Sequence, residues 1–407
     1  MATQTPIPIF SQRETFYVPQ VEVYVGGRLL QDNVVNDILQ VTYTDSVKDI
    51  DQFQIEINNW DAESRKFKFA PPLKSYQGVF DPGNKIELRM GYQGNMRRMM
   101  RGLITSLTPV YSEAAPTLSI TGLSELHRFR TEQHTYSWIN RNMTDTQIAQ
   151  ELCKWPLKKG QPGLGIKIHA KPAANEQPDP IVFLCNQYDI VFLLERARRR
   201  GYDMYLEDEG PTPTLYFGLS ENAASASIYQ LEWGKSLVGF RPTLSTANQI
   251  SAVTVRGWDR KSNKPIVETC TLQQLWKEQK KSSAEIARLT EIAKAYNARS
   301  FEVTDEPMHT VKEAKDRARA ILDNKNKRLI EATGTTVGLP DLRTGCTVEI
   351  LGFGITTDNS GNLIGTGSDF DGEYFVTGST HTMGGGGYQT QFTARRQGLG
   401  RLTKPQA

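Results

Sequence analysis

Five histidines, His127, His134, His169, His309 and His381, are the side chains best suited to bind a metal or move a proton near neutral pH. No two stand at an HxH or HxxxH spacing, which would seat a metal on one strand or one helical turn. His381 falls on the penultimate strand and reads as a structural or interface residue. The four cysteines, Cys153, Cys185, Cys270 and Cys346, form no CxxC pair and read as reduced core or surface thiols. Gly384-Gly385-Gly386-Gly387 has the composition of a phosphate cradle. Such a cradle needs a helix N-terminus behind it, and here a strand follows, so the run reads as a hairpin loop. Asp358-Asn359-Ser360-Gly361-Asn362 and Asp369-Phe370-Asp371-Gly372 carry calcium-type oxygens. Neither has the glycine and glutamate positions of an EF-hand loop, so both read as solvated turns.

Lys154–Lys159 and Arg196–Arg200, with Trp155 and Tyr202 as stacking groups, have the makings of a nucleic-acid patch. The second run is equally the end of a helix whose arginines snorkel. There is no GxSxG elbow, no Cys–His pair at a recognisable spacing, and no acid pair that can be singled out. No catalytic, cofactor-binding or metal residue is therefore assigned, and no cofactor is expected.

Composition narrows the classes. The chain has 407 residues, 38% hydrophobic and 23% charged, which is enough for two to four folded domains. Its 48 basic and 45 acidic residues leave a net charge of +3, too near balance to call for a polyanion partner. Met1–Gln20 has no apolar core of a signal peptide, and no run approaches the roughly 20 apolar residues of a membrane span. The expectation is a protein made in the cytoplasm, without membrane insertion.

The elements that must position these residues begin with strands. Val21–Val25, Ile38–Thr44 and Phe53–Asn58 alternate with a period of two, as half-buried antiparallel strands do. Asn33, Asp37, Asp45, Ser46 and Asp49 read as turn formers between them. Strands at 84–92, 99–110 and 116–123 complete a six-stranded unit the size of a small barrel or sandwich. A helix follows Asn142 or Thr144 as its cap, and a second spans Asp189–Arg200 with Gly201 past its end. Strands Met204–Leu206 and Thr214–Phe217 make the stretch 136–230 an α+β insertion. Alternation resumes at Leu237–Pro242 and Gln249–Trp258. A helical stripe from Leu272 to Tyr296, weakened at Lys280–Ser283, and a helix capped by Thr310 interrupt it.

The last sixty residues look like a second copy of residues 83–126. Gly83-Asn84-Lys85-Ile86-Glu87-Leu88 matches Gly345-Cys346-Thr347-Val348-Glu349-Ile350. Gly102–Leu107 aligns with Gly378–Met383, and Leu118–Gly122 with Tyr388–Phe392. Asn59-Trp60-Asp61 and Gly257-Trp258-Asp259 read as a further pair. A chain that folds one β module twice more often has a geometric task than a single catalytic pocket.

The tail from Gly345 through Gly372-Glu373-Tyr374-Phe375-Val376 and His381 to Gly387–Arg396 resembles the late control D family. These are the hub proteins of contractile phage tails and injection machines, similar to the N-terminal part of type VI secretion spikes. Gly83–Gly122 and the helix Phe192–Gly201 with Tyr202 match the same pattern, so the resemblance covers nearly the whole chain. It implies an α+β, mainly β fold with two tail-tube-like antiparallel β-barrels. The first barrel would be 1–135, the α+β insertion 136–230, and the second barrel 231–268 with 335–400. A helical insertion would fill 269–334 and a polar tail 401–407.

The resemblance also implies a homotrimer whose six barrels form a pseudo-hexameric ring. Its partners would be a separate trimeric spike protein, a hexameric inner tube protein or tube initiator, and other baseplate proteins. No stable nucleic-acid complex and no enzymatic activity are expected, and the protein would end up in a virion tail or injection particle. Spike-type chains continue into further domains, and this sequence stops at Ala407, so the spike is expected on another polypeptide. A tail-associated cell-wall hydrolase or peptidase is the alternative.

Overall fold

The computed structural model describes residues 7–8 and 18–397, apart from 70–78, 113–114, 131, 174–175, 209, 211, 221–228, 260–261, 298, 305–307, 309, 358–362 and 366. His309, the run Asp358–Asn362 and the tail 401–407 lie outside the described residues.

Six strands make the first module: β1 (Pro19–Val25), β2 (Ile38–Ser46), β3 (Gln52–Asn58), β4 (Lys85–Tyr92), β5 (Asn95–Val110) and β6 (Thr117–Ser124). They pair antiparallel in the order β1-β4-β5-β6-β3-β2. The alternation does what it should: Phe53, Ile55 and Ile57 are buried while Gln52 and Gln54 are exposed. They meet Val23, Tyr43, Leu88, Met90 and Ile120 in one core.

The α+β insertion follows. It holds β7 (Gln133–Met143), α1 (Asp145–Lys154), β8 (Lys167–Lys171), β9 (Asp179–Tyr188), α2 (Asp189–Arg200), β10 (Asp203–Glu207) and β11 (Thr214–Gly218). Thr144 caps α1 in a reciprocal box with Gln147, its hydroxyl accepting the Gln147 N–H at 3.2 Å. Gly201, at φ +76°, ends α2 in the left-handed turn that glycine adopts without strain. β7 pairs with β9, and β8, β11 and β10 form a second small sheet. Trp138 anchors their core, stacked against Trp155 and Phe192.

The main remaining elements are β12 (Tyr229–Glu232), β13 (Leu237–Leu244), β14 (Ala252–Asp259), β15 (Lys264–Thr271), α3 (Leu272–Glu278), α4 (Ser283–Ala293), β16 (Ser300–Val303), α5 (Val311–Asn326), β17 (Ile330–Val337), β18 (Thr347–Leu351), β19 (Gly372–Gly384) and β20 (Gly387–Arg396). Six of them repeat the first module. Their order is β12-β18-β19-β20-β17-β13, so in chain rank both modules run first, fourth, fifth, sixth, third, second. One pairing differs: β12 lies parallel to β18, whereas β1 is antiparallel to β4.

The irregularities repeat as well. The fifth strand bulges against the sixth at Thr105 in one module and at Thr377 in the other. The second strand bulges against the third at Leu39 and at Val238. Matching bulges at matching places are inherited features of a ladder. They make Lys85 equivalent to Thr347, which agrees with the sequence alignment, since Gly83 and Gly345 both take positive φ (+95° and +91°).

The other two alignments are corrected. Gly102 corresponds to Tyr374 and Leu118 to Thr390, shifts of four and two residues from the sequence pairing. An even shift leaves every side chain on its own face, so alternation could not resolve it. Trp60 and Trp258 are not equivalent either. β14 belongs to a separate sheet, β15-β14-β16, that covers α5, and the third strand of the second module is β17. The strand expected over Gln249–Trp258 therefore does not join the sheet of the second module.

β19 joins the halves. Its first residues pair with β18, its last seven with β2, and its other edge with β20. One sheet thus runs through both modules. Among the described residues no ladder closes either run of strands, and in the second module a single bridge, Trp233 to Leu237, links the two ends. The protein is mainly β; among the described residues the α-helices lie after residue 135 apart from the short Asp32–Val35 turn, and a 3-10 helix, Glu125–Arg130, follows β6.

Candidate functional site: the junction between the modules

Where β19 crosses from one module to the other, its inward face is polar. Ser379 and His381 stand opposite Asp45 and Tyr43 of β2. All four are nearly or fully buried, with exposures of 3%, 0%, 4% and 0%. Asp45, expected in a turn, is the hub of this network. Its carboxylate accepts from Ser379 N (2.9 Å), Ser379 Oγ (2.6 Å), Thr344 N (3.2 Å) and Thr344 Oγ1 (2.8 Å). The Arg343 guanidinium approaches it at 3.4 Å and lies 5.1 Å over the Tyr43 ring, whose hydroxyl it also reaches. Burial works against the Arg343 charge, yet Tyr43, Asp45 and Asp51 together hold its pKa well above the usual value. Asp51 is pushed well up by burial and then by the Asp45 charge.

The hydrogen bonds assign the His381 tautomer. Nε2 faces the Leu342 carbonyl at 3.1 Å, which can only accept, so Nε2 carries the proton. Nδ1 then accepts from Tyr388 Oη (2.9 Å) and Thr390 Oγ1 (3.1 Å). Thr390 Oγ1 is itself fed by Leu339 N at 2.9 Å, which leaves its proton for His381. Burial lowers the His381 pKa to about 4, so the ring is neutral at pH 7.

Ser379, His381 and Asp45 are the residue types of a hydrolytic triad, but their wiring is different. In a triad the acid orients the histidine and the serine faces substrate. Here Ser379 Oγ does lie 3.0 Å from His381 Nε2, but the acid binds the serine and not the histidine, the far ring nitrogen faces two hydroxyls, and none of the three is open to solvent. The arrangement can lock two strands together; it offers no exposed nucleophile.

The insertion seals the junction. Tyr205 and Tyr216, stacked at 4.7 Å, pack on Val47 of the first module and Phe375 of the second. Gly345 must be glycine here, because a Cβ would sit 2.3 Å from the Tyr205 ring. Arg101 binds the buried Asp208 through N and Nε, each at 2.8 Å. Arg395 pairs with Asp203 and lies 4.8 Å over Phe375.

Arg196 and Arg200 turn inward to Asp145 and Asp179 and are buried or half-buried, so they are not a nucleic-acid patch. Tyr202 is buried and accepts from Ala173 N, and Trp155 packs on Tyr136 and Trp138, so neither offers a face for a base. Gly384 and Gly387 pair across the β19–β20 hairpin turn. Asp371 accepts from the backbone N–H of Phe353, Ser368 and Ile355, which occupies the oxygens a cation would use. His134 binds Asp189 at 3.0 Å, His169 faces Glu207 at 3.3 Å, and His127 is half-buried. No cluster of three metal-ligating side chains occurs among the described residues. The cysteines are free, and burial raises Cys153 to about 12 and Cys270 to about 11. No described helix is long and apolar enough to cross a membrane.

A repeated six-stranded module, fused through one strand and locked by buried polar groups, defines the fold class of this chain. Residues 17–384 match the family model described as Alg8 N-terminal domain, and the chain belongs to that family. That description names a domain and states no reaction. No curated protein matches the chain. Among solved structures it is similar to the 43 kDa tail protein of prophage MuSo2 from Shewanella oneidensis, at 18% identity over 93% of this chain and 98% of that one, TM-score 0.63. A tail protein from Neisseria meningitidis MC58 is similar at 16% identity over 94% and 98%, TM-score 0.62. So is the E. coli c3393 protein, described as a type VI secretion component with structural similarity to T4 bacteriophage tail proteins gp27 and gp5. There the identity is 11% over 94% and 79%, and the TM-score 0.56. At these identities the likeness establishes a shared fold.

Proposed function

We propose that this chain is a structural hub of a phage-tail baseplate or a related contractile injection apparatus, of the late control D kind. The observation that carries the reading is the duplicated module, with one strand order and the same two bulges in both copies. Three chains would present six equivalent modules, the number a hexameric tube offers, while their insertions repeat only three times. The protein is on this reading a homotrimeric symmetry adaptor between a sixfold inner tube and a separate threefold spike. The modules act as tube-like barrels, 1–135 and 231–400 less the insertions, and the stretch 136–230 reaches other baseplate proteins or the spike. Assembly takes place in the cytoplasm and the product is a particle component. Alignment along 93% and 94% of the chain with two tail proteins supports the assignment.

The rival, a cell-wall hydrolase or peptidase, has Ser379, His381 and Asp45 as its best constellation; their burial, and an acid that binds the serine instead of the histidine, speak against it. Electron microscopy of the purified chain with its spike partner tests the hub. Rings of six lobes, alternating in outline, are expected. Rings with another lobe number, or no rings at all, would overturn it.

A further inference from the structure

Within one chain the longest ladder between the modules is a single antiparallel seam, and Ile7–Pro8 adds a short parallel pairing with Tyr229–Gln230 of β12. Residues Gly378–Gly384 of β19 pair antiparallel with Gln40–Ser46 of β2, with Thr380 opposite Thr44 and His381 opposite Tyr43. The fifth strand of the second module therefore covers the outer edge of the second strand of the first. The reciprocal two edges are open. β4 reaches β5 only as far as Leu103, so from Thr105 onward β5 has β6 on one side and, among the described residues, no strand on the other. β13 has β17 on one side and no described strand along its other edge from Gly239 to Leu244. The matching bulges convert one seam into the other residue by residue. Gly378–Gly384 correspond to Ser106–Ser112, and Gln40–Ser46 to Gly239–Ser245.

We infer that the edge Ser106–Ser112 of one chain packs antiparallel against the edge Gly239–Ser245 of a second copy. The register sets Leu107 opposite Leu244, Thr108 opposite Thr243, Pro109 opposite Pro242, and Tyr111 opposite Phe240. This rests on the hub reading above and gives its ring a residue-level contact.

The side chains agree with the register. The inward face of the intrachain seam is polar, with Asp45, Tyr43, Ser379 and His381. The corresponding positions between copies are Leu107, Pro109 and Tyr111 on one edge and Phe240, Pro242 and Leu244 on the other. Leu107 packs on the first module's core, and Phe240 and Leu244 on the second's, so joining the edges makes the two cores continuous. Tyr111 meets Phe67 edge-on at 5.2 Å yet stays 66% exposed in the single chain, so much of its ring is left for a partner to cover.

The prolines fit too. Ser379 gives its N–H across the intrachain seam to Asp45, so His381, two residues on, and its counterpart Pro109 also face their seams. A proline on an open edge blocks indiscriminate strand pairing. Placed opposite each other, Pro109 and Pro242 strand no N–H, only carbonyls, which tolerate it better. A second copy of this chain is thus the occupant, because it alone carries both edges in complementary register.

Disulfide trapping tests the register. The Thr44 and Thr380 hydroxyls lie 3.3 Å apart across the intrachain seam, so their counterparts Thr108 and Thr243 would face each other at disulfide range. The full chain carries Thr108→Cys and Thr243→Cys with the exposed Cys185 changed to Ser, and is mildly oxidised. Covalent species of two and three chains are expected on a non-reducing gel. The single variants, and Thr108→Cys paired with Arg241→Cys two residues out of register, should give at least tenfold less. If light scattering shows a trimer and the 108–243 pair stays reduced, the seam is wrong and the hub reading stands. If the chain remains a monomer even with its spike, the hub reading falls and the seam with it.

Discussion

Replacing Asp45 with Asn tests whether the junction is held by its buried charge. The carboxylate serves two backbone N–H groups, two hydroxyls and the Arg343 guanidinium, in a site 4% exposed at Asp45 and 7% at Arg343. Asn keeps Oδ1 for Ser379 but turns an NH₂ toward Arg343 Nε and Thr344 N, so donors face donors. It also leaves the guanidinium without its nearest carboxylate. Breaking a buried pair from one side costs about 3–5 kcal/mol, because the remaining charge stays desolvated. Arg343→Met in the same chain removes that stranded charge. The double variant should therefore recover about 1–3 kcal/mol relative to the sum of the singles. Urea unfolding followed by circular dichroism and by limited proteolysis between the modules measures both. A loss below about 1 kcal/mol for Asp45→Asn, or strict additivity with Arg343→Met, would refute the argument.

Further expectations concern the same framework. His381 has a folded pKa of about 4 against an ordinary 6.5, so between those values the unfolded chain binds more protons and stability falls as pH falls. The full contribution is roughly 3 kcal/mol, present above pH 6.5. Asp51, raised by burial and Asp45, has the opposite sign, and Arg343 and Tyr388 do not titrate in this window. The test is therefore the difference from His381→Gln; identical pH slopes would refute the assignment. Gly345→Ala forces a Cβ against the Tyr205 ring at φ +91° and should cost about 2–4 kcal/mol by thermal unfolding. Arg196→Met leaves Asp145 and Asp179 short of a cation in the insertion and should cost about 3–5 kcal/mol, while Arg198→Met on the exposed face should be nearly neutral.

Local elements were legible in the sequence because their signals are local. Thr144 and Thr310 cap helices, Gly201 ends one, and the weak stretch at Lys280–Ser283 is where α3 and α4 part, with Ser282 capping the second. The first strand of the repeat aligned correctly because Gly83 and Gly345 mark the same positive-φ turn. Register and sheet membership were not legible. A period of two survives any even slip, and β14 alternates just as it would in the main sheet.

The junction escaped for a different reason. Asp45 and Ser46 look like turn residues, and their partners Arg343, Ser379 and His381 lie some 300 residues away. The basic run held one usable cue. Arg196 and Arg200 are four apart on one helix face, a spacing that fits two inward partners better than a solvated patch.

On the proposed function, two modules per chain build a threefold assembly presenting six equivalent positions. Its most direct test is the solution mass of the chain, alone and with the proposed spike partner, by multi-angle light scattering. A mass of about 137 kDa, three times the 45.7 kDa chain, or a complex of three chains with three spike subunits, is expected. A monomer under both conditions, or a stable dimer, would contradict it.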